Sequence, residues 1–277
     1  MQHIFNVWQN IERRLWLAKE VFLLLDFDGT LTPIVDRPED AELPREIGRI
    51  LKLLSRKKGF KVAIISGRSL SDLKAKIKIR NIIYVGNHGL EIGRGGEIFI
   101  YPEALKSIRT MKELKKILQK ELGSIEGMIL EDKRVGLAIH YRMVKSSDVP
   151  KLKRSVGKIF KPFLEKGEIK ISYGKKILEA RAPIFWDKGK AASMLLDSFK
   201  QKNPLSIYLG DDRTDEDAFS VLDGKGLTVF VGKPRKSKAK FFLKNVGEVR
   251  VFLKRLSALN IGGRNPGDQQ DVPFSQS

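Results

Sequence analysis

Residues 21–34, Val21-Phe-Leu-Leu-Leu-Asp-Phe-Asp-Gly-Thr-Leu-Thr-Pro-Ile34, run from five apolar side chains straight into two carboxylates, Asp26 and Asp28. A short unbroken apolar run closed by turn residues is the pattern of a strand covered on both faces, as in parallel sheets. Open α/β sheets bind ligands beyond the carboxyl ends of such strands, so Asp26 falls where ligand chemistry is expected. Gly29 permits a sharp turn and a close approach to the backbone. Thr30 adds a hydroxyl and an amide that an anion can use. A plain strand followed by an acidic turn fits these residues equally well, and the other loops have to separate the two readings.

The strand pattern recurs on either side. Ile4, Val7, Trp8, Ile11 and Leu15 are spaced for a helix over 4–18, and Ile47, Ile50, Leu51 and Leu54 stripe a helix over 44–55. Strands are predicted at 60–65 and 81–85, with Ser69 or Ser71 capping the helix between them. Three strand-loop-helix units in succession predict an α/β fold with a doubly wound, mainly parallel sheet. The pattern then changes to a helix (102–122), two strands (128–131 and 135–142, with Lys133-Arg134 near the turn), a helix (149–165) and two strands (169–172 and 177–180). That order describes a compact α+β insert. The parallel pattern returns with a helix over 188–201, strands at 206–209 and 227–231, and a helix over 246–256. The expected division is a core of 1–103 and 181–259, an inserted unit of 104–180, and a Gly, Pro, Gln and Ser rich tail, 260–277, read as disordered.

Composition narrows the class. The 277 residues are 42% hydrophobic and contain no apolar run near the roughly 20 residues of a membrane span. Residues 1–20 alternate apolar and charged side chains and lack a signal-peptide core. Without cysteine there is neither a disulfide framework nor a thiolate metal site, and a cytoplasmic protein that does not enter a membrane is expected. Lysine and arginine exceed aspartate and glutamate by 53 to 33, a net charge of +20 that attracts anions. The basic residues are spread along the chain, and the densest cluster, 233–240, has no aromatic on which a base could stack. Nucleic acid is therefore not expected as the main ligand.

Four positions at strand ends or helix starts carry chemistry: Asp26 with Asp28, Ser66 after the second strand, Lys188 before a helix, and the acidic run from Asp211 to Asp217. Carboxylates from two distant strand ends suit a hard cation, and magnesium is usually held by one or two carboxylates plus substrate phosphate and water. Ionised Asp26 is placed to attack phosphorus and form an aspartyl-phosphate. Magnesium, Lys188 and the Ser66 hydroxyl would neutralise the phosphoryl group as the anionic nucleophile approaches. Asp28 would protonate the leaving oxygen and later activate water, a role that neighbouring negative charge would favour by keeping its carboxyl partly protonated.

These residues carry a resemblance. Asp26-Phe-Asp-Gly-Thr-Leu-Thr-Pro-Ile34, Ser66-Gly-Arg68, Gly86-Asn-His-Gly-Leu-Glu91, Lys188-Gly189 and Gly210-Asp-Asp-Arg-Thr-Asp-Glu-Asp217 resemble, in order, the haloacid dehalogenase superfamily and within it the trehalose-6-phosphate phosphatase family. The resemblance implies that Asp26, Asp28 (through its backbone carbonyl) and Asp211 hold magnesium, with Asp212 and Asp215 in or near the surrounding shell. It implies that Gly29, Thr30, Ser66, Gly67 and Lys188 hold the phosphoryl group. The insert corresponds to the family's cap, which closes over a phosphorylated disaccharide. Candidate sugar contacts are Arg68, Asn87, His88, Glu131, His140, Arg142, Lys176, Glu179 and Arg181. A monomer is expected, with a trehalose-6-phosphate synthase as the functional partner. Two rivals stand beside this reading: a phosphatase for another sugar phosphate, of the sucrose 6-phosphate or mannosyl-3-phosphoglycerate type, and a non-catalytic binder of anions or nucleic acid on the same fold.

Overall fold

The structure, a computed structural model, describes residues 1–174, 176–199 and 204–261. The chain opens with β1 (Gln2–His3), a 3-10 turn over Ile4–Val7 and α1 (Trp8–Leu17). It continues through β2 (Val21–Leu25), α2 (Arg45–Leu54), β3 (Phe60–Ile65), α3 (Leu70–Ile77), β4 (Ile83–Gly86), β5 (Glu91–Arg94) and β6 (Glu97–Ile100). A second group follows: α4 (Pro102–Leu122), β7 (Ile129–Asp132), β8 (Gly136–His140), α5 (Val149–Glu165), β9 (Lys170–Gly174) and β10 (Ile177–Arg181). The last elements are α6 (Lys188–Asp197), β11 (Leu205–Gly210), α7 (Asp215–Val221), β12 (Gly226–Val231), β13 (Phe241–Leu243) and α8 (Val246–Ala258).

The main sheet has nine strands in the order β1-β13-β12-β11-β2-β3-β4-β5-β6. All pairings are parallel up to β4, and β5 and β6 continue it antiparallel. β2 sits at the centre with all five side chains buried. Because successive side chains in a strand point to opposite faces, Val21, Leu23 and Leu25 enter one core with α1, α2, α3 and α8. Phe22 and Leu24 enter the other, packed on Ala191 and Ala192 of α6 and Phe219 of α7. Each such side chain contributes about 1.5–3 kcal/mol by leaving water. The mainly parallel, doubly wound sheet is therefore the architecture predicted from the apolar runs.

β7–β10 form a separate four-stranded antiparallel sheet in the order β7-β8-β10-β9. Leu137, Ile139, Leu178 and Ala180 point toward α4 and α5, where they meet Leu114, Leu118, Leu152 and Phe160. The alternate positions, including Glu131, His140 and Glu179, are left for the opposite face, toward the main sheet.

Several elements differ from the periodicity reading. Only Trp8–Leu17 of the predicted 4–18 segment is α-helical, because Gln2–His3 pair with β13 and the next four residues turn as 3-10 helix. β5 and β6 are a hairpin around Gly95-Gly96, and β13 and α7 are too short to leave a periodic signal. Ser69, not Ser71, caps α3, accepting from the Asp72 amide. Ile261 packs against the core beyond α8. The rest of the expected tail, 262–277, and the end of the helix predicted over 188–201 lie outside the described residues.

Candidate active site

The carboxyl ends of β2, β3, β4 and β11 face one cleft of about 280 Å3. The Asp26 amide donates to the Leu209 carbonyl at 2.9 Å, which fixes the first carboxylate beside β11. Lys188, the first residue of α6, is buried, and its Nζ donates to Asp26 Oδ1 at 2.6 Å and Asp215 Oδ1 at 2.7 Å. α6 is held in position by its cap, Asp187, whose side chain accepts from the Lys190 amide. Asp215 is fully buried and accepts four bonds. Its Oδ1 takes Lys188 and the Tyr208 hydroxyl (2.8 Å); its Oδ2 takes the amides of Asp211 (3.1 Å) and Asp212 (2.9 Å). Two carboxylate oxygens offer about four acceptor positions, so Asp215 is saturated by the protein and acts as the strut of the acidic loop.

Oxygens of Asp26, Asp211 and Asp215 all lie within 4.8 Å of one another. Burial raises Asp26 well above the carboxylate range, Lys188 opposes that, and Asp215 and Asp211 add to it. Burial and then Asp215 push Asp211 up to about 7, against Lys188. Lys188 is pushed higher still than an ordinary lysine: burial works against its charge, and the two acids outweigh it. Crowded carboxylates that resist ionising together are a donor set that a hard divalent cation relieves. The residues present fit such an ion. With Asp215 saturated, Asp26 and Asp211 are the side chains with oxygen left to offer.

Gly29 has φ +85°, and a β-carbon there would collide with the Asp211 carboxylate, so glycine is what lets the two loops close on each other. Thr30 is buried behind this contact, its hydroxyl 3.4 Å from Asp211 Oδ1. Ser66 and Gly67 line the cleft, and Ser66 Oγ accepts from the Arg68 amide at 3.2 Å. Asp28 also lines it, but its neighbour is not another carboxylate. Arg68 donates from Nε to Asp28 Oδ2 and from Nη2 to Asp28 Oδ1, both at 2.7 Å, and from Nη1 to Asp72 at 2.6 Å. The negative surroundings expected for Asp28 are replaced by a guanidinium.

The four-stranded sheet roofs the cleft with Glu131, His140, Arg142, Lys176 and Glu179. His140 Nε2 lies 2.8 Å from Glu131 Oε2. Burial works against the Glu131 charge, but His140 and Lys133 outweigh it and hold the carboxyl below its usual range. Arg142 reaches Asp36 of the opening loop at 3.3 Å. His88 projects from the core side in a left-handed backbone conformation, 3.9 Å from Glu179. Burial, with Arg181, Lys188 and Lys133 nearby, keeps its imidazole well below its usual pKa and therefore neutral. Asp212 lines the cleft at its edge, and its carboxylate accepts from the Arg213 amide. Asn87 and Arg181 do not reach this cleft; they border a small cavity beside it, where Asn87 Nδ2 bridges Glu91 and the Lys133 carbonyl at 2.8 Å each.

Among the residues in or under the cleft that escaped the sequence reading, three hold predicted site residues in place. Lys133 is buried and pairs with Glu179 at 2.5 Å, Asp36 answers Arg142, and Tyr208 holds Asp215 from within β11. A lysine beside a predicted turn gives no sign that it is buried. Tyr208 was one apolar residue among several in its strand.

A doubly wound sheet that brings Asp26-x-Asp28, Ser66, Lys188 and the Asp211 loop to one edge is the arrangement expected from the resemblance to the haloacid dehalogenase superfamily. The sequence profile of one family, described as trehalose-phosphatase, matches residues 24–246. The chain is 32% identical over 254 residues to trehalose-phosphate phosphatase B of Arabidopsis thaliana, covering 86% of this chain and 67% of that one. It superimposes on a trehalose-6-phosphate phosphatase related protein with TM-score 0.76 and 25% identity, covering 85% of this chain and 96% of that one. The C-terminal domain of Candida albicans trehalose-6-phosphate phosphatase shares the fold with TM-score 0.76 at 24% identity, covering 92% of this chain and 97% of that one. The chain belongs to the trehalose-phosphatase family.

Proposed function

We propose that this protein hydrolyses trehalose 6-phosphate to trehalose and phosphate, using magnesium and an aspartyl-phosphate on Asp26. The observation that carries the reading is the buried junction in which Lys188 bridges Asp26 and Asp215 beside Asp211, at the floor of a polar cleft. Family membership supplies the substrate class, and the roof formed by residues 104–180 acts as the cap.

Magnesium held by Asp26 and Asp211, with the Asp28 carbonyl, would supply positive charge to the phosphoryl oxygens. The chain's own groups do the rest. Lys188 orients Asp26 through Oδ1, leaving the second oxygen to attack phosphorus. As the new P–O bond forms, the sugar–oxygen bond to phosphorus breaks, and Asp28 delivers a proton to the departing alkoxide. Water then attacks phosphorus, Asp28 takes its proton, and phosphate leaves with Asp26 restored. Ser66 and the Gly67 amide hold the transferred group between the two displacements. Arg68 occupies both oxygens of Asp28 here, so proton transfer requires that carboxyl to let go of the guanidinium. Glu131, Lys133, His140, Arg142, Lys176 and Glu179 supply donors and acceptors suited to sugar hydroxyls.

The test is phosphate release from a panel of sugar phosphates by purified protein with and without magnesium. A preference for trehalose 6-phosphate that requires the metal is expected, and so is loss of turnover by about 1,000-fold or more in Asp26→Asn. Equal rates on all esters would remove the assignment of substrate; normal turnover by Asp26→Asn would remove the covalent route.

A further inference from the structure

Two large apolar side chains line the catalytic cleft and, among the described residues, join none of the hydrophobic clusters of the fold. They are Ile34, from the loop after β2, and Ile177, the first residue of β10. Ile34 is 60% exposed. Ile177 pairs with His140 of β8, so it shares the cleft side of the small sheet with His140 and Glu179. Leu178 and Ala180 take the other side, toward α4 and α5.

A plain structural role accounts for part of this. Strands favour β-branched residues, and single exposed apolar side chains are ordinary on a surface. Two features go further. A β-carbon at Gly174 would collide with Ile177 Cγ2, so space has been left in β9 for the isoleucine. Gly174 ends an extended strand and is not needed there for a left-handed turn. The two isoleucines also come from segments that meet. The Tyr141 amide donates to the Lys176 carbonyl at 3.0 Å, which sets Arg142 beside the start of β10, and Arg142 reaches Asp36, two residues beyond Ile34, at 3.3 Å. The loop that carries Ile34 is pinned on both sides. The Gly29 amide donates to the Thr32 carbonyl at 2.8 Å, and Lys76 Nζ donates to the carbonyls of Glu39 (2.9 Å) and Ala41 (3.0 Å).

Their place in the cleft suggests what they grip. Glu179 lies 3.9 Å from His88, and a β-carbon at Gly67 would meet the His88 ring at 2.6 Å. Glu179 therefore stands above the Ser66-Gly67 turn assigned to the phosphoryl group. Ile177 lies two residues back along the strand, about 7 Å further out, which is a step from one sugar ring toward the next. We propose that Ile34 and Ile177 form an apolar jaw on the ring of the disaccharide that carries no phosphate, selecting a disaccharide phosphate over a monosaccharide phosphate. This rests on the substrate reading given above. A pyranose with equatorial hydroxyls presents two faces of C–H groups, which gain from apolar cover, while its hydroxyl edge needs polar partners. His140 and Arg142, next to the jaw, supply those partners.

Steady-state kinetics with trehalose 6-phosphate, glucose 6-phosphate and p-nitrophenyl phosphate tests the proposal. Ile34→Thr with Ile177→Thr keeps both β-branched shapes and should raise KM for trehalose 6-phosphate about tenfold. KM for glucose 6-phosphate (its inhibition constant where turnover is too slow) and turnover of p-nitrophenyl phosphate should change less than about twofold. Ile177→Val keeps the apolar contact and should stay within about threefold of the parent on the disaccharide. Gly174→Ala, which displaces Ile177, should weaken the disaccharide alone. Ile34→Thr by itself, in an exposed loop, should raise the disaccharide KM about threefold and carries the test should the changes on the sheet unfold the protein. A parent with no preference for the disaccharide removes the substrate reading and this inference with it. A parent that prefers it, with threonine variants that prefer it as strongly, overturns the jaw alone. Equal loss on all three substrates also overturns it, by assigning the two residues to the shape of the cleft.

Discussion

Arg68 grips both carboxylate oxygens of Asp28, 40 residues away in sequence, through two bonds of 2.7 Å, while its third nitrogen holds Asp72 at 2.6 Å. The guanidinium is buried, with both partners part-exposed. It also lies over the Phe27 ring, 5.4 Å from its centroid. One side chain thus ties the opening loop to the first turn of α3. Arg68→Ala is expected to cost about 1–2 kcal/mol in urea unfolding, since solvent reaches both carboxylates and offsets part of the loss. Arg68→Lys can meet only one partner well and should recover less than half of it. A full recovery would mean that charge alone matters, not the fork.

Asp215 and Tyr208 separate strut from accessory. Asp215→Ala leaves the Lys188 ammonium short of a partner and two loop amides unanswered in a buried site. A loss of about 3–5 kcal/mol and of turnover is expected. Tyr208→Phe removes one bond to the same carboxylate and should cost about 1 kcal/mol. Phosphate release within about threefold of the parent is expected for Tyr208→Phe.

Glu131 ties acid sensitivity to the roof of the cleft. Its folded pKa lies below the ordinary 4.5, held there by His140 and Lys133 against the effect of burial. A depressed carboxyl stabilises the fold fully above that ordinary value and loses the contribution as pH falls through the lower folded value. Urea unfolding at pH 7, 5 and 3.5 should therefore show a smaller acid loss in Glu131→Gln than in the parent. Parallel curves would show that the pair contributes nothing.

The Lys133–Glu179 pair should read the sugar and ignore the phosphate. Glu179→Gln is expected to raise KM for trehalose 6-phosphate about tenfold. Hydrolysis of p-nitrophenyl phosphate, which has no sugar to reach the roof, should change less than about twofold. A uniform fall on both substrates would indicate that Glu179 supports the fold of the cleft instead.

Some of this molecule is written locally. Val21–Leu25 must be a central strand because five adjacent apolar residues need cover on both faces, and burial of all five follows. Asp26, at the end of that strand, is then placed at the ligand edge by topology alone. The helices α4 and α5 were readable to the residue, since their apolar stripes are long enough to repeat. Short elements such as β13 and α7 carry too few residues to show a period.

What tertiary structure alone decided is which charges meet. Periodicity fixes the face on which a side chain lies, but a partner 46 residues away, as Glu179 is from Lys133, is chosen by how two sheets pack. The same holds for the neighbour of Asp28, expected to be negative and found to be Arg68. Ion pairing depends on distance and burial in three dimensions, and neither quantity is present in the order of residues.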